Sequence, residues 1–178
     1  MKHDGEVEYF EIVDDGDRVI GTAPRSRCHG DPSLVHRVAH VIVVNRKGEL
    51  LLQKRSLEKD IQPGKWDTSV GGHLNVGEGY EVAARREMKE ELGIEAESID
   101  FLYAYPLRNA VESENVRTYL CRYDGPIFFD REEITEVRYW SAEEIEHHLG
   151  RGMFTPNFED EYGYYRQALK RETDGGEA

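Results

Sequence analysis

Twenty-three consecutive residues, Gly72 to Ile94, constrain this chain more than any other stretch. They read GHLNVGEGYEVAARREMKEELGI. Gly72 is followed after five residues by Glu78, then after seven by Arg86-Glu87-Met88, then after one by Glu90-Glu91, and after one more by Gly93-Ile94. With average residue usage, such a pattern arises by chance about once in 10⁹ starting positions. Glu78 to Leu92 is rich in Ala, Glu, Arg and Met and has no Pro, which predicts a helix. Gly93 is a fitting stop for it. Glu87 and Glu91 are four apart and Glu87 and Glu90 three apart, so all three occupy neighbouring positions on one helix face. Carboxylates crowded in this way repel one another unless a cation sits among them. Oxygen-only ligands suit Mg²⁺ or Mn²⁺, which also bridge phosphate oxygens. Ala83, Ala84 and Met88 fall away from that face and can pack on a sheet. A run of Glu, Lys and Arg is ordinarily a solvated helix face. The complete spaced set is what sets this one apart.

The stretch resembles the Nudix box, G-x5-E-x7-R-E-U-x-E-E-x-G-U with U apolar, with no position departing from it. Members of the Nudix family bind divalent metal with this box and cleave diphosphates linked to another moiety. The resemblance implies metal ligation by Glu87, Glu90 and Glu91, helped by the Gly72 carbonyl. It also implies a structural ion pair between Glu78 and Arg86.

The chain has 178 residues, enough for one domain with a real core, and residues 1–178 are read as a single domain. Its 23 basic and 36 acidic residues give a net charge of −13. Such a field argues against nucleic acid or an anionic membrane as partner. An anionic substrate would be held instead by local cations and metal. No apolar run reaches the length of a membrane span, and MKHDGEVEYF lacks the apolar core of a signal peptide. Cys28 and Cys121 are too few for a disulfide framework, which suits a reduced, cytoplasmic setting. A homodimer is the commonest assembly open to such a protein.

Short β-like runs at Tyr9 to Val13 and Arg18 to Thr22 predict an N-terminal hairpin turning at Asp14-Asp15-Gly16-Asp17. Ala23 to Ser33 reads as loop. Strands are expected at Val38 to Val44, Leu50 to Lys54, Phe101 to Leu107, Arg117 to Tyr123 and Glu136 to Trp140. Ser141-Ala142-Glu143-Glu144 is a capping-box pattern opening a helix to about Leu149. Thr155-Pro156 opens another to about Lys170. Residues 1–7 and 172–178 read as flexible ends. Strands interspersed with helices predict a mixed sheet between helices, an α/β (α+β) class. The Nudix resemblance makes this an α/β/α sandwich.

A second constellation lies outside the box. His29 and His36 are seven apart, His73 follows Gly72, and Glu112 and Glu114 are two apart, so that in a strand both point to one face. Three imidazoles and two carboxylates can form a closed metal site. Singly, such residues are more often ordinary loop or surface groups. The segment from Cys28 to His73, with LVHRV, LLLQKRSLEKDIQPGKW and SVGGHL, is similar to the type I isopentenyl-diphosphate isomerases, which share the Nudix fold. That resemblance implies metal binding by His29, His36, His73, Glu112 and Glu114, with Glu114 also an acid/base. It implies diphosphate contacts for Arg55 and Lys59, and Lys54 is a further candidate.

Two departures separate this chain from those isomerases. Their motif S-V-C-G-H carries a catalytic cysteine, and here the position is Gly71, which cannot transfer a proton. An arginine of their degenerate box is replaced by Glu87. Arginine would grip diphosphate there, whereas glutamate needs a metal between. Both changes lead from isomerase toward hydrolase, with a metal-activated water attacking phosphorus in line. The base for that water is open among Glu90, Glu91, Glu112, Glu114, Glu133 and Glu136. A non-catalytic nucleotide-binding module is the third reading, against which the intact Glu87, Glu90 and Glu91 set argues. The box treats the diphosphate and ignores what hangs from it. Selectivity falls to loops such as Cys28 to Ser33, Leu57 to Gln62 and Met153 to Tyr165. There Phe154, Phe158, Tyr162, Tyr164 and Tyr165 either stack on a base or pack the last helix.

Overall fold

The computed structural model describes residues 7–59 and 61–174. An antiparallel hairpin of β1 (Tyr9–Val13) and β2 (Val19–Pro24) comes first and leads into one turn of helix, α1 (Arg25–Cys28). Then follow β3 (Val35–Val44), β4 (Leu50–Arg55), β5 (Trp66–Asp67), β6 (Val70–His73) and the box helix α2 (Tyr80–Leu92). The chain closes with β7 (Asp100–Arg108), β8 (Ser113–Arg122), β9 (Ile134–Trp140), α3 (Ala142–His148) and α4 (Pro156–Asp174).

Strands β3 to β9 make one mixed sheet in the order β5-β4-β3-β8-β7, with β6 also on β3 and β9 also on β4. Among the paired strands of the described residues, only β3–β8 is parallel. The second half of β3, Val41 to Val44, is apolar on both faces because helices cover both. Ala39, Val41 and Val43 pack with Ala83, Ala84, Met88 and Leu92 of α2. Ile42 and Val44 point the other way, into a cluster with Trp140, Ile145, Phe154, Phe158, Tyr162 and Tyr165 from β9, α3 and α4. This is the expected α/β/α sandwich. No helix among the described residues is long and apolar enough to cross a membrane.

Local chemistry sets the helix ends. Helix α2 stops at Gly93, whose φ of 66° costs no Cβ strain. Ser141 caps α3, accepting from the Glu144 amide at 3.2 Å while the Glu144 carboxylate accepts from the Ser141 amide at 2.8 Å.

Several boundaries differ from expectation. Helix α2 starts at Tyr80, so Glu78 precedes it, bonded to the Asn75 amide at 2.8 Å and free to reach back to Arg86. The loop expected at Ala23 to Ser33 is partly strand and partly helix, because β2 runs on to Pro24 and the chain then coils around the buried Cys28. Helix α4 runs to Asp174, past the end expected near Lys170 and into the expected flexible tail. The first six residues and those after Asp174 lie outside the described residues. Of the aromatic residues near the last helix, Phe154, Phe158, Tyr162 and Tyr165 are core, and Tyr164 is exposed.

Candidate active site

Two groups of candidate ligands meet at β6. On its box side, the strand's Gly72 packs directly against Glu87. A Cβ there would overlap the Glu87 carboxylate, so only glycine leaves that carboxylate its place against the strand. Arg86 ties the box together. It donates through Nε and Nη2 to both oxygens of Glu78, at 2.9 and 2.8 Å, and to Glu87 Oε1 at 2.6 Å. It also donates to the His73 carbonyl at 3.0 Å, which binds the helix to the strand. Burial alone would raise the Glu78 carboxyl, but Arg86 holds it below the usual carboxylate range.

The three box glutamates differ in setting. Glu91 accepts from Gln53 Nε2 at 2.9 Å and from the Gly71 amide. Burial and then the neighbouring Glu87 charge push its carboxyl up to about 8. Glu87 is raised too, mainly by burial. Glu90 is 58 % exposed and reaches Arg86 only at 3.4 Å. The even crowding expected of the three is therefore not seen. Helix geometry makes them neighbours, but Glu90 swings to solvent while Glu87 and Glu91 turn toward the strand.

The second constellation is assembled more tightly. His29, His36, His73 and Glu114 place one ligand atom each within 4.8 Å of one another. Glu114 Oε1 lies 3.4 Å from His36 Nε2 and 3.3 Å from His73 Nε2. Glu112 reaches His29 at 3.6 Å. Burial opposes ionisation of Glu114, yet His36 and His73 hold it well below the ordinary range. Burial depresses His73, and depresses His29 to about 4, so both are neutral ligands near neutrality. His36 is 0 % exposed and its Nε2 meets only Glu114, at 3.4 Å and without a well-formed hydrogen bond, a loosely satisfied set that a cation would complete. Glu112 is not in a strand with Glu114, as the two-residue spacing predicts. It precedes β8 in a turn in which its amide bonds Asn109, and burial raises its carboxyl.

The three basic candidates are spread along β4 and beyond. Arg55 bonds Asp67 at 3.2 Å and the Ile61 carbonyl at 3.1 Å. Lys54 stands 4.0 Å from Glu136. Lys59 pairs with Glu133 and is close enough to act on the Glu91 carboxylate, so it flanks the box. Cys28 is fully buried and burial pushes its thiol up, which fits a packing residue.

Some contributors were invisible in the sequence. Phe10 of the hairpin stacks on His73, with ring centroids 4.2 Å apart, and on His36 at 5.1 Å. Gln53 orients Glu91. His40 on β3 and Glu161 on α4 form a pair at 3.0 Å beside Gly71. No local spacing signals any of these, since each partner comes from a distant part of the chain.

The sandwich, the box and its glutamates define the Nudix class, and the comparisons agree. The NUDIX domain model matches residues 34–158, and the chain belongs to that family. A Nudix hydrolase of Yersinia pestis, itself uncharacterized, is 35% identical over 78% of this chain and 76% of its own length. An isopentenyl-diphosphate Delta-isomerase of Streptomyces avermitilis is 31% identical over 86% of this chain and 81% of its own. A Deinococcus radiodurans protein of known crystal structure superposes with a TM-score of 0.72 and 28% identity, covering 83% of this chain and 92% of that one. The protein is accordingly an enzyme, a hydrolase acting on acid anhydrides, from a family that acts on small-molecule diphosphates with divalent metals.

Proposed function

We propose that the protein is a metal-dependent hydrolase of a nucleoside diphosphate derivative or a related organic diphosphate, cleaving the linkage by in-line attack of water on phosphorus. The observation that carries this reading is the Glu91 carboxylate. It is partly buried beside Glu87 and met there by the neutral donors Gln53 and Gly71. Such a pair calls for a hard cation, and its all-oxygen donors fit Mg²⁺ or Mn²⁺. Glu87, Glu90, Glu91 and the Gly72 carbonyl would hold it. A divalent ion bound there would place positive charge on the phosphoryl oxygens and lower the pKa of a nearby water.

The chain's own residues supply the rest. Arg86 fixes Glu78 and Glu87, and through the His73 carbonyl fixes the strand against the helix. Lys59 puts a cation on the Glu91 side, where the phosphate that is not attacked would rest, and Arg55, bonded to Asp67, is a second candidate to hold it. Glu133 and Glu136 lie near β4, beside Lys59 and Lys54, and can take the proton of the attacking water. Glu114 is committed to His36 and His73 and serves the second set. His29, His36, His73, Glu114 and, at the rim, Glu112 would hold a separate ion, for which the loosely satisfied His36 Nε2 is the support.

The isomerase reading draws on the same His/Glu set and on the Streptomyces relative. Against it, Gly71 carries no thiol, and Cys28 is enclosed with Phe10, Ile12 and Ala23 of the hairpin. Proton and phosphorus NMR in D₂O with Mg²⁺ separates the two readings. Nucleoside diphosphates, dinucleotides and nucleotide sugars form one series, and isopentenyl diphosphate stands alone. Loss of a diphosphate signal in the series is the expected result. Deuterium entering the isoprene without phosphate release would overturn the proposal.

A further inference from the structure

The layer between the sheet and α4 contains a charged pair that the hydrolase reading leaves unused. His40 sits on β3 between Val38 and Ile42, both buried in apolar clusters. Opposite it, Glu161 of α4 is only 1 % exposed. His40 Nδ1 and Glu161 Oε2 are 3.0 Å apart, and Thr118 Oγ1 donates to the other oxygen at 2.8 Å. The buried hydroxyls of Thr68 and Tyr103, neither with a well-formed hydrogen bond, interact with the same carboxylate. A buried ion pair is a poor device for stability alone, because apolar side chains of the same volume hold a core as well. The arrangement gains a purpose from the other ring nitrogen.

With Nδ1 committed to Glu161, Nε2 faces the opposite way, toward β6. His40 pairs with Gly71 across the two strands, and a Cβ on Gly71 would stand 3.1 Å from both Nε2 and Cδ2 of the ring. The imidazole occupies the space that a side chain at position 71 would need. Among the described residues nothing hydrogen-bonds Nε2, and the side chain is 12 % exposed. Gly71 also joins the two candidate ion sites. Its amide donates to Glu91, and two residues on, His73 belongs to the His/Glu cluster. The carboxylates of Glu114 and Asp67 both act on the His40 ring. Burial alone would depress this imidazole, but Glu161 more than offsets that and pushes it up to about 9.

We propose that His40 is a substrate-contacting residue, whose Nε2–H donates to a phosphate oxygen of the diphosphate in the cleft beside Gly71, with Glu161 as the residue that positions it. This rests on the diphosphate reading of the site. An imidazolium N–H on a phosphate oxygen is a charge-assisted bond, stronger than a neutral one. It lies beside Gly71, whose amide meets Glu91, and within the field of Glu114 and Asp67, where a dianionic group most needs a fixed positive donor. Glu161 keeps the ring in one orientation and keeps its proton in place.

The test uses inorganic pyrophosphate with Mg²⁺ and the whole protein carrying ¹⁵N-histidine. Pyrophosphate binding, followed by its own phosphorus signal, should shift the His40 Nε2 resonance, identified by its loss in His40→Gln. His40→Gln should bind pyrophosphate about tenfold more weakly, the range expected for losing one hydrogen bond to a charged group. Glu161→Gln keeps the volume and should weaken binding less, while displacing the His40 Nε2 resonance before any ligand is added. That displacement also assigns the signal should His40→Gln fold poorly. Pyrophosphate that binds without moving the His40 ring signals overturns this assignment alone. Failure of the unaltered protein to bind pyrophosphate overturns it together with the diphosphate reading.

Discussion

Glu91→Gln should make the metal-free protein more stable while removing its activity. An ordinary glutamate ionises near 4.5 and this one near 8, with burial first and Glu87 second as causes. A carboxyl raised on folding withdraws stability as it ionises. Nothing is lost below about pH 4.5, the loss grows from there to about pH 8, and it is complete above that. For a fully enclosed group the cost would reach about 4 kcal/mol at pH 8. Glu91 is only partly enclosed, and solvent screening reduces the figure to about 1–2 kcal/mol. The amide removes that cost but can satisfy only one of the two donors, Gln53 and Gly71, as well as the carboxylate does. A net gain of about 1 kcal/mol remains, or about 2–4 °C in Tm for a chain of this length. Melting curves followed by circular dichroism in EDTA at pH 5 and pH 8 measure it. The variant should melt higher at pH 8 and level with the unaltered protein at pH 5. Adding Mg²⁺ should raise Tm of the unaltered protein and leave the variant where it was. A variant that melts lower at pH 8 without metal, or shows the same gap at both pH values, refutes the reasoning.

Gly72→Ala places a Cβ inside the Glu87 carboxylate, so Glu87 must leave its place beside Arg86. Calorimetry should record a loss of about 1–3 kcal/mol, with turnover falling at least about tenfold; unchanged melting would mean that Glu87 tolerates the shift. Arg86→Lys keeps the charge but loses the fork that holds both oxygens of Glu78, and denaturant titration should show about 1–3 kcal/mol lost. Elemental analysis of dialysed protein should find an ion that survives Glu90→Gln but is lost in His36→Asn; loss in both variants would leave the His/Glu cluster without an ion of its own.

The sequence exposed the parts of this molecule whose chemistry is local. The box helix was legible because Glu78 to Leu92 is rich in helix formers and has no Pro, and Ala83, Ala84 and Met88, which fall away from the glutamate face, now pack with β3. The Ser141 cap was legible because both of its partners lie within four residues. Gly72 was marked by spacing, and its reason is steric contact with Glu87, fifteen positions on. The histidines and Glu114 were found through likeness to another enzyme, since only the parallel pairing of β3 with β8 brings His36 opposite Glu114.

Glu112 and Glu90 mark where local spacing misleads. A two-residue step gives one face only if the chain is already extended, and β8 begins at Ser113, after Glu112. A helical step of three or four makes neighbours of carboxylates, but it does not decide which of them keeps water. Glu90 keeps it, with only Arg86 near it at 3.4 Å, while Gln53 and Gly71 draw Glu91 inward. His40 and Glu161 lie 121 positions apart, and neither residue belongs to a pattern. Their meeting depends on three separate facts: β3 turning His40 away from α2, α4 crossing that face at Glu161, and Gly71 leaving the ring its space. A site assembled from such long-range placements has no signature along the chain, although every one of its contacts is as physically determined as the box.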